Sequence, residues 1–281
     1  MPYRLVCLDA GFTLLSPRRT LADALAGVLE ERGHPVDRGD LRRAWDVADR
    51  WFWDEYHRPD NRTWGDDAEI ERTWREYHSL MLGELGFADR AHELVDRILA
   101  SQYAADAWEL YPDVEPALDD LRRMPGLSIG VISDWGSNLD GILADLGLGR
   151  YLDFTLASGA VGLAKPDPAL FRLALERAGV EAGEAVMVGD SLRADVDGAR
   201  AAGMAGVLLV RPREGEDGAD DGADGTTGEG VEDGATDDHG APAVEVPPGT
   251  AVISSLAELP ALVAGTKVPR PDHRRGAPDL A

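Results

Sequence analysis

The sequence predicts an α/β fold in which a doubly wound (Rossmann-like) parallel sheet forms the core and an all-helical cap domain is inserted into it. Two observations predict this fold. Apolar runs alternate with helical segments from residue 112 onwards, and a long helical stretch separates them from the first apolar run. Such alternation is typical of parallel sheets covered by helices on both faces. Ligands of these sheets bind outside the carboxyl ends of the strands, so functional residues are expected there.

The first element is the apolar run at residues 3–8 (YRLVCL). It is too short for a helix, and we interpret it as a buried parallel strand that ends at Asp9. Cys7, the only cysteine of the chain, lies inside this run. We therefore expect it to pack as a small buried hydrophobe rather than to act as a reactive thiol, and no intramolecular disulfide can form.

A helical pattern covers residues 16–108, with breaks around residues 33–35, 58–61 and 83–86. This stretch carries six of the seven tryptophans, which are Trp45, Trp51, Trp53, Trp64, Trp74 and Trp108. We expect them to fill the core of a small helical bundle. The alternative is that one or two of them line a substrate pocket, because aromatic walls are common in such sites.

Strands and helices alternate in the second half of the chain. The predicted strands contain LSIGVIS, FTLAS, AVMVGD and GVLLV, and the predicted helices contain VEPALDDLRRM, NLDGILADLGL, PALFRLALERAG and ADVDGARAAGM. The segment AVISSLAELPALV predicts a further strand and helix at the sheet edge. We therefore divide the chain into a core (residues 1–15, 109–213 and 249–265) and a helical cap (residues 16–108).

The charge of the chain is unevenly distributed. The formal net charge is −24, and residues 214–238 contain eleven Asp and Glu residues but no Lys or Arg. Residues 214–248 have almost no large apolar side chain, so we predict a disordered acidic insertion there and a flexible tail at residues 266–281. The negative charge disfavours binding to nucleic acid or to anionic membranes, because both would repel it.

No stretch approaches the roughly 18 uninterrupted apolar residues of a membrane span, and no signal-peptide pattern is present. We expect a soluble, cytoplasmic protein. A monomer and a homodimer both remain open.

Polar residues stand at the ends of several predicted strands. Asp9, Ser133 and Asp190 each follow or end an apolar run, and Lys165 is one of only two lysines among 28 basic residues. Each of these residues, considered alone, can be explained by a structural role without any function. Asp190 and Asp195 could start a helix, Ser133 could cap a turn, and Lys165 could be a solvated loop charge. Because they recur at one predicted edge of the sheet, we predict that they converge on one site.

These segments, in this order, resemble the haloacid dehalogenase superfamily, in the subgroup with a helical cap after the first motif. The motifs are Asp9 with Thr13, Ser133 closing GVIS, Lys165 in GLAKPDP, and Asp190 and Asp195 in GDSLRAD. The resemblance runs from residue 3 to residue 210, with the cap matched by position and helicity. The segments DAGFTLL and SDWGSNLDGIL are also similar to the haloacid-dehalogenase-like domain-containing 3 group.

The resemblance implies a hydrolase in which Asp9 is the catalytic nucleophile. Attack of its carboxylate on a phosphoryl group would give an aspartyl-phosphate. The resemblance also implies a Mg²⁺ cofactor, with Asp9, Asp190 and the backbone carbonyl of Gly11 as ligands. Asp195 would ligate the metal through water or hold Asp190.

The remaining motif residues would contact the substrate, which we expect to be a small phosphorylated metabolite. Ser133 would donate a hydrogen bond to a phosphoryl oxygen. Lys165 would act both in substrate binding and in catalysis, by neutralising the nucleophile and the developing charge. Thr13 is also predicted to belong to the substrate-binding residues, and it would brace the loop after Asp9.

The first motif departs from that of the superfamily's phosphatases, which carry a second Asp two residues after the nucleophile as general acid and base. Gly11 stands at this position and has no side chain. A positioned acid or base contributes roughly 10² to 10⁴ in rate. We therefore expect weak or altered activity, with acyl and aryl phosphates less affected because their leaving groups depart without a proton.

Three functions remain in competition at this point. A magnesium-dependent phosphohydrolase is favoured because GDSLRAD keeps its carboxylates. A 2-haloacid dehalogenase would not need the second Asp, but such enzymes use no metal and replace the residue at position 190, so Asp190 argues against it. The third is a non-catalytic protein that binds a ligand or partner through the same fold.

Overall fold

The computed structural model describes residues 3–56, 58, 63–212 and 246–265. The predicted acidic insertion lies outside these residues except for its last three positions, and the predicted tail lies wholly outside them. The disorder of the one and the flexibility of the other therefore stay predictions.

A six-stranded parallel sheet forms the centre of the protein, as predicted. The strands of the chain are β1 (Leu5–Leu8), β2 (Leu15–Pro17), β3 (Trp108–Leu110), β4 (Ser128–Ser133), β5 (Phe154–Ala157), β6 (Ala185–Gly189), β7 (Ala205–Leu209) and β8 (Ala251–Ile253). The order across the sheet is β5-β4-β1-β6-β7-β8, with every neighbouring pair parallel. Strand β1 is thus central, and β8 completes one edge.

The apolar runs form strands because both faces of the sheet are covered. Successive side chains of a strand point to opposite faces. Val6 and Leu8 enter the hydrophobic core on one face, whereas Leu5 and Cys7 enter the core on the other. All four side chains are fully buried, which explains why the run is apolar throughout rather than alternating.

Helices cover both faces and form the insertion. They are α1 (Leu21–Glu31), α2 (Arg38–Tyr56), α3 (Asp67–Glu84), α4 (Ala91–Tyr103), α5 (Val114–Arg122), α6 (Leu139–Asp145), α7 (Ser158–Val161), α8 (Pro168–Ala178), α9 (Gly198–Ala201) and α10 (Leu259–Val263). Helices α5, α6 and α10 pack on the Val6 face, and α8 and α9 pack on the Leu5 face.

Helices α1–α4 share a hydrophobic core of their own, separate from the two sheet cores. Leu25, Leu29, Met81 and Ile98 are fully buried in it. The side chain of Thr20 accepts a hydrogen bond at the start of α1, as Asp66 does at α3, so both helices begin at an N-cap residue. Tryptophans at positions 45, 51 and 74 pack against this core, as expected.

The ends of the predicted helical stretch are not helical. Residues 15–17 and 108–110 pair as the antiparallel strands β2 and β3. The α-helices of this part therefore run from Leu21 to Tyr103, and a 3₁₀ turn, Ala105–Ala107, precedes β3. Trp108 lies in β3 and packs against the sheet core, so the expectation that it fills the helical core is wrong. Three-residue strands pair through partners about 90 positions away, and such pairing leaves no local periodicity in the sequence.

Within the described ranges, none of the helices combines the length and the apolar composition that crossing a bilayer requires.

Candidate active site

The predicted site residues meet at the carboxyl edge of the sheet. Asp9 follows the central strand β1, Ser133 ends β4 beside it, and Asp190 follows β6 on its other side. Lys165 lies in the loop before α8. Its Nζ donates hydrogen bonds to Asp9 Oδ1 and to Asp195 Oδ1, both at 2.7 Å. The buried ammonium of Lys165 thus connects the motif of Asp9 with the GDSLRAD motif, which contains Asp195.

Three carboxylates form a compact group around this ammonium. Asp9, Asp190 and Asp195 each offer an oxygen, and these oxygens lie within 4.8 Å of one another. Asp195 comes from a single π-helical stretch, Leu192–Asp197, whose wider turn follows the N-cap Ser191. The Asp195 carboxylate accepts a hydrogen bond from the Ser191 backbone N–H at 3.0 Å. It also occupies the space that a side chain at position 189 would need, which explains the glycine there.

One ammonium offsets only one of these three carboxylates when all of them are ionised. Burial and repulsion from Asp9 and Asp195 raise the pKa of Asp190 well above its ordinary value. Burial raises the pKa of Asp195 to about 6, although Lys165 counteracts it. Burial alone would lower the pKa of Lys165, but the carboxylates of Asp195 and Asp9 outweigh it and raise that pKa well above normal.

The loop after Asp9 is held from several sides. Thr13 is fully buried, and its hydroxyl donates to Asp190 Oδ1 at 3.2 Å. The Thr13 carbonyl accepts a hydrogen bond from Arg211 Nη2 at 2.7 Å. Phe12 adopts a left-handed backbone conformation with φ of 54°, which is uncommon for a non-glycine residue, and its backbone N–H donates to the Leu15 carbonyl at 2.7 Å.

Asp113 anchors the guanidinium that holds this loop. Arg211 donates to both carboxylate oxygens of Asp113, each at 3.0 Å. The same carboxylate accepts hydrogen bonds from Ser255 Oγ at 2.7 Å and from the Leu256 backbone N–H at 2.8 Å. Asp113 thus connects the chain on both sides of residues 213–245.

Gly11 faces an indole ring. A Cβ atom built at Gly11 would lie 3.5 Å from Trp135 Cζ3, with no second heavy atom of the described residues within 4 Å beyond its chain neighbours. The ring of Trp135 packs against Trp108, with ring centroids 4.6 Å apart and the planes tilted by 61°. The position of the missing acid/base side chain is therefore bordered by an aromatic surface.

Sequence reasoning did not single out four residues around the site. Asp134 directly follows Ser133, and its Oδ1 accepts a hydrogen bond from the Lys165 backbone N–H at 2.9 Å. Burial raises the pKa of Asp134 to about 7. Its place at a strand end could have identified it. Trp135 is the next residue, and its place just after the same strand could have identified it too.

Tyr56 carries no such signal, because the tertiary fold alone brings it to the site, whereas Arg193 lies within GDSLRAD, two residues before Asp195. Tyr56 ends α2, and burial raises its pKa to about 12, with contributions from the charges of Asp134, Lys165 and Asp195. The guanidinium carbon of Arg193 lies 5.5 Å from the centre of the Tyr56 ring.

A second contact joins the helical insertion to the core next to the site. The Ser137 backbone N–H and hydroxyl donate to the two oxygens of Asp67, at 2.8 and 2.6 Å. Asp67 is the first residue of α3. A Cβ atom at Gly159 would overlap the Asp67 carboxylate, so the glycine gives this carboxylate its space.

Comparison with known proteins assigns the fold and the motifs to one family. The sequence model of the haloacid dehalogenase-like hydrolases matches residues 3–203. Haloacid dehalogenase-like hydrolase domain-containing protein 3 of Mus musculus is 31% identical over 209 residues, which is 74% of this chain and 82% of that protein. A phosphoserine phosphatase of Thermus thermophilus is 39% identical over 149 residues, 52% of this chain and 57% of that protein.

Solved structures agree with this fold. L-2-haloacid dehalogenase from Xanthobacter autotrophicus superimposes with a TM-score of 0.63 at 20% identity and covers 94% of this chain and 100% of its own. At this identity the likeness concerns the fold.

Proposed function

Since the chain belongs to the haloacid dehalogenase-like hydrolases, we propose that it is a magnesium-dependent phosphohydrolase that acts through an aspartyl-phosphate on Asp9. The family and the phosphatase-named relatives make it a phosphatase-like hydrolase. The observation that carries the finer proposal is the group of Asp9, Asp190 and Asp195 around Lys165. We further propose a small phosphorylated metabolite as substrate.

The charge and the donor atoms of the site fit a divalent cation. Lys165 offsets only one of three clustered carboxylates, and burial, followed by repulsion from Asp9 and Asp195, raises the pKa of Asp190. Oxygen donors of this kind suit Mg²⁺. Asp9, Asp190 and the Gly11 carbonyl would hold the ion, and Asp195 would ligate through water or hold Asp190. When bound, Mg²⁺ would offset the repulsion between Asp9 and a phosphate dianion.

The reaction then proceeds through side chains of this chain. A carboxylate oxygen of Asp9 attacks phosphorus, and the bond from phosphorus to the leaving oxygen breaks, with its electron pair going to that oxygen. Ser133 donates a hydrogen bond to a phosphoryl oxygen. The ammonium of Lys165 holds Asp9 Oδ1 in place and stabilises the developing charge. Water then attacks the aspartyl-phosphate, which frees Asp9 and inorganic phosphate.

Proton transfer is the weak point of this site. Gly11 cannot protonate a leaving oxygen or activate the water. Alkyl phosphates, which need a proton on the leaving oxygen, should therefore react slowly. Acyl and aryl phosphates should react faster.

A metal-free dehalogenase would also dispense with an acid at position 11. Asp190 argues against it, because a third carboxylate without a cation adds repulsion that a halide-releasing reaction does not need. A chloride-release assay on 2-haloacids without metal separates the two reactions.

A phosphate-ester panel with and without Mg²⁺ tests the proposal. We expect Mg²⁺-dependent phosphate release from phenyl phosphate or an acyl phosphate, and its loss in Asp9→Asn. Asp145→Asn, the same change at an exposed residue of α6, serves as the control and should keep full activity. Equal release by wild type and Asp9→Asn contradicts the proposal, because the nucleophile would not be needed. No release from any ester also contradicts it and favours a non-catalytic binding protein.

A further inference from the structure

We infer that the indole of Trp135 selects substrates with a flat aromatic leaving group, which makes aryl phosphates the substrate class of this site. This inference rests on the proposed phosphohydrolase function and deepens it.

The position of the ring identifies the part of the substrate that it meets. A side chain at position 11 is the one that reaches the leaving oxygen in the superfamily's phosphatases. The Cβ of such a side chain would lie 3.5 Å from Trp135 Cζ3. The indole therefore borders the leaving-group side of the site, at the position where a proton donor is missing.

Hydrogen bonds hold the backbone of Trp135, and Trp108 packs against its ring. The Trp135 backbone N–H donates to Ser158 Oγ at 3.1 Å, and its carbonyl accepts hydrogen bonds from Ser158 Oγ and the Gly159 N–H, at 3.3 and 2.9 Å. Trp108 supports the ring from one side. The residue nevertheless stays partly exposed. A ring that its neighbours already restrain loses little conformational entropy when a second ring stacks on it.

The helical insertion contributes a further aromatic residue near the same charges. The Tyr56 ring centre lies 5.5 Å from the guanidinium carbon of Arg193, two residues before Asp195, and the ring stacks on Phe52 with the planes 13° apart. Phe52 in turn contacts Trp53 and Trp64. The site is therefore approached by aromatic surface from the sheet and from the cap.

Leaving-group chemistry agrees with this lining. When Asp9 attacks an aryl phosphate, the phosphorus–oxygen bond breaks and its electron pair goes to the aryl oxygen. A phenol has a pKa near 10, so the phenolate departs without a proton donor and takes a proton from water afterwards. An alkoxide needs the donor that Gly11 lacks. Gly11 thus disfavours alkyl leaving groups because it supplies no proton, and Trp135 beside it favours aryl leaving groups.

Binding of two phosphonates, which cannot be hydrolysed, tests the inference without requiring turnover. Phenylphosphonate and cyclohexylphosphonate have rings of similar size, but only the first is flat and aromatic. We expect calorimetry in Mg²⁺ to give wild type a roughly 2- to 10-fold lower Kd for phenylphosphonate, the range expected of one aromatic pair. Trp135→Leu should lose this preference and Trp135→Phe should retain part of it.

Trp45→Leu, which removes a tryptophan from the helical core, is the matched control and should keep the preference. No preference in wild type, no binding of either compound, or an unchanged preference in Trp135→Leu overturns the inference. Failure of the proposed function is distinguishable, because it would leave the phenyl preference intact while no ester in the panel releases phosphate.

Discussion

Replacing Gly11 with aspartate should give this site the proton donor that it lacks. A Cβ at position 11 meets Trp135 at 3.5 Å, an ordinary van der Waals distance. The backbone of Gly11 is not among the left-handed glycine conformations, so an L-residue fits without strain. The new carboxyl would also lie close to Asp9 and its carboxylate partners, and their negative charge would favour its protonated form, which is the form that a general acid needs.

The expected gain follows from what a positioned acid contributes. General acid catalysis is worth roughly 10² to 10⁴ in rate. We expect the lower end, about 10²-fold in kcat/KM for propyl phosphate, because the Trp135 ring restricts how the new side chain can turn. For phenyl phosphate we expect a gain below about tenfold, because a phenolate leaves without a proton. The signature is therefore the change in the ratio between the two substrates.

The assay is phosphate release from both substrates by wild type, Gly11→Asp and Gly11→Asn in the presence of Mg²⁺. The asparagine variant has nearly the same shape and no titratable proton. Equal gains for Asp and Asn, or equal gains on both substrates, would refute the argument that position 11 lacks only a proton donor. A thermal melt of each variant checks that the protein stays folded.

Two further predictions concern stability and the contact between cap and core. Burial lowers the pKa of His78 to about 4, whereas a histidine in an unfolded chain has a pKa of about 6.5. Between these two pH values unfolding takes up a proton, so the free energy of unfolding falls as the pH falls from about 6.5 to about 4. Urea titrations give the free energy of unfolding at pH 7 and at pH 4. Its decrease between the two pH values should be up to about 3 kcal/mol smaller in His78→Leu than in the exposed control His92→Leu, and equal decreases would contradict this prediction. Gly159→Ala should displace the Asp67 carboxylate and speed hydrogen exchange in the first turn of α3, roughly 2- to 10-fold, whereas Gly183→Ala, in open space, should not. Identical exchange in the two variants would show that this contact does not hold the helix.

The sequence predicted the sheet and the meeting of the charged motif residues at one of its edges because both have local signals. A fully apolar run such as β1 indicates a strand buried on two faces, and Asp9 and Asp190 stand directly at strand ends. The alternation along the second half of the chain predicted the strands of the core and helices α5, α6 and α8 correctly. Helix α7 was not predicted, and the predicted helix ADVDGARAAGM is a π-helical stretch followed by the short α9. The predicted limits of the domains remain predictions, although the helical part is shorter than residues 16–108.

The features that were missed depend on distances between segments. Tyr56 lies more than 100 residues from Lys165 in sequence, and only the packing of α2 brings it near the site. The contact between Gly11 and Trp135 joins two loops after different strands. No pattern within one segment indicates such a contact, so the aromatic lining could not be predicted from periodicity or composition.

The carboxylate of Asp113 makes the nucleophile loop depend on residues far along the chain. Arg211 and Ser255 are both held on that one carboxylate, and Arg211 also holds the Thr13 carbonyl. A substitution at Asp113 therefore acts on the loop after Asp9 from outside the site. Variation at this position would change catalysis in a way that the motif residues alone do not reveal.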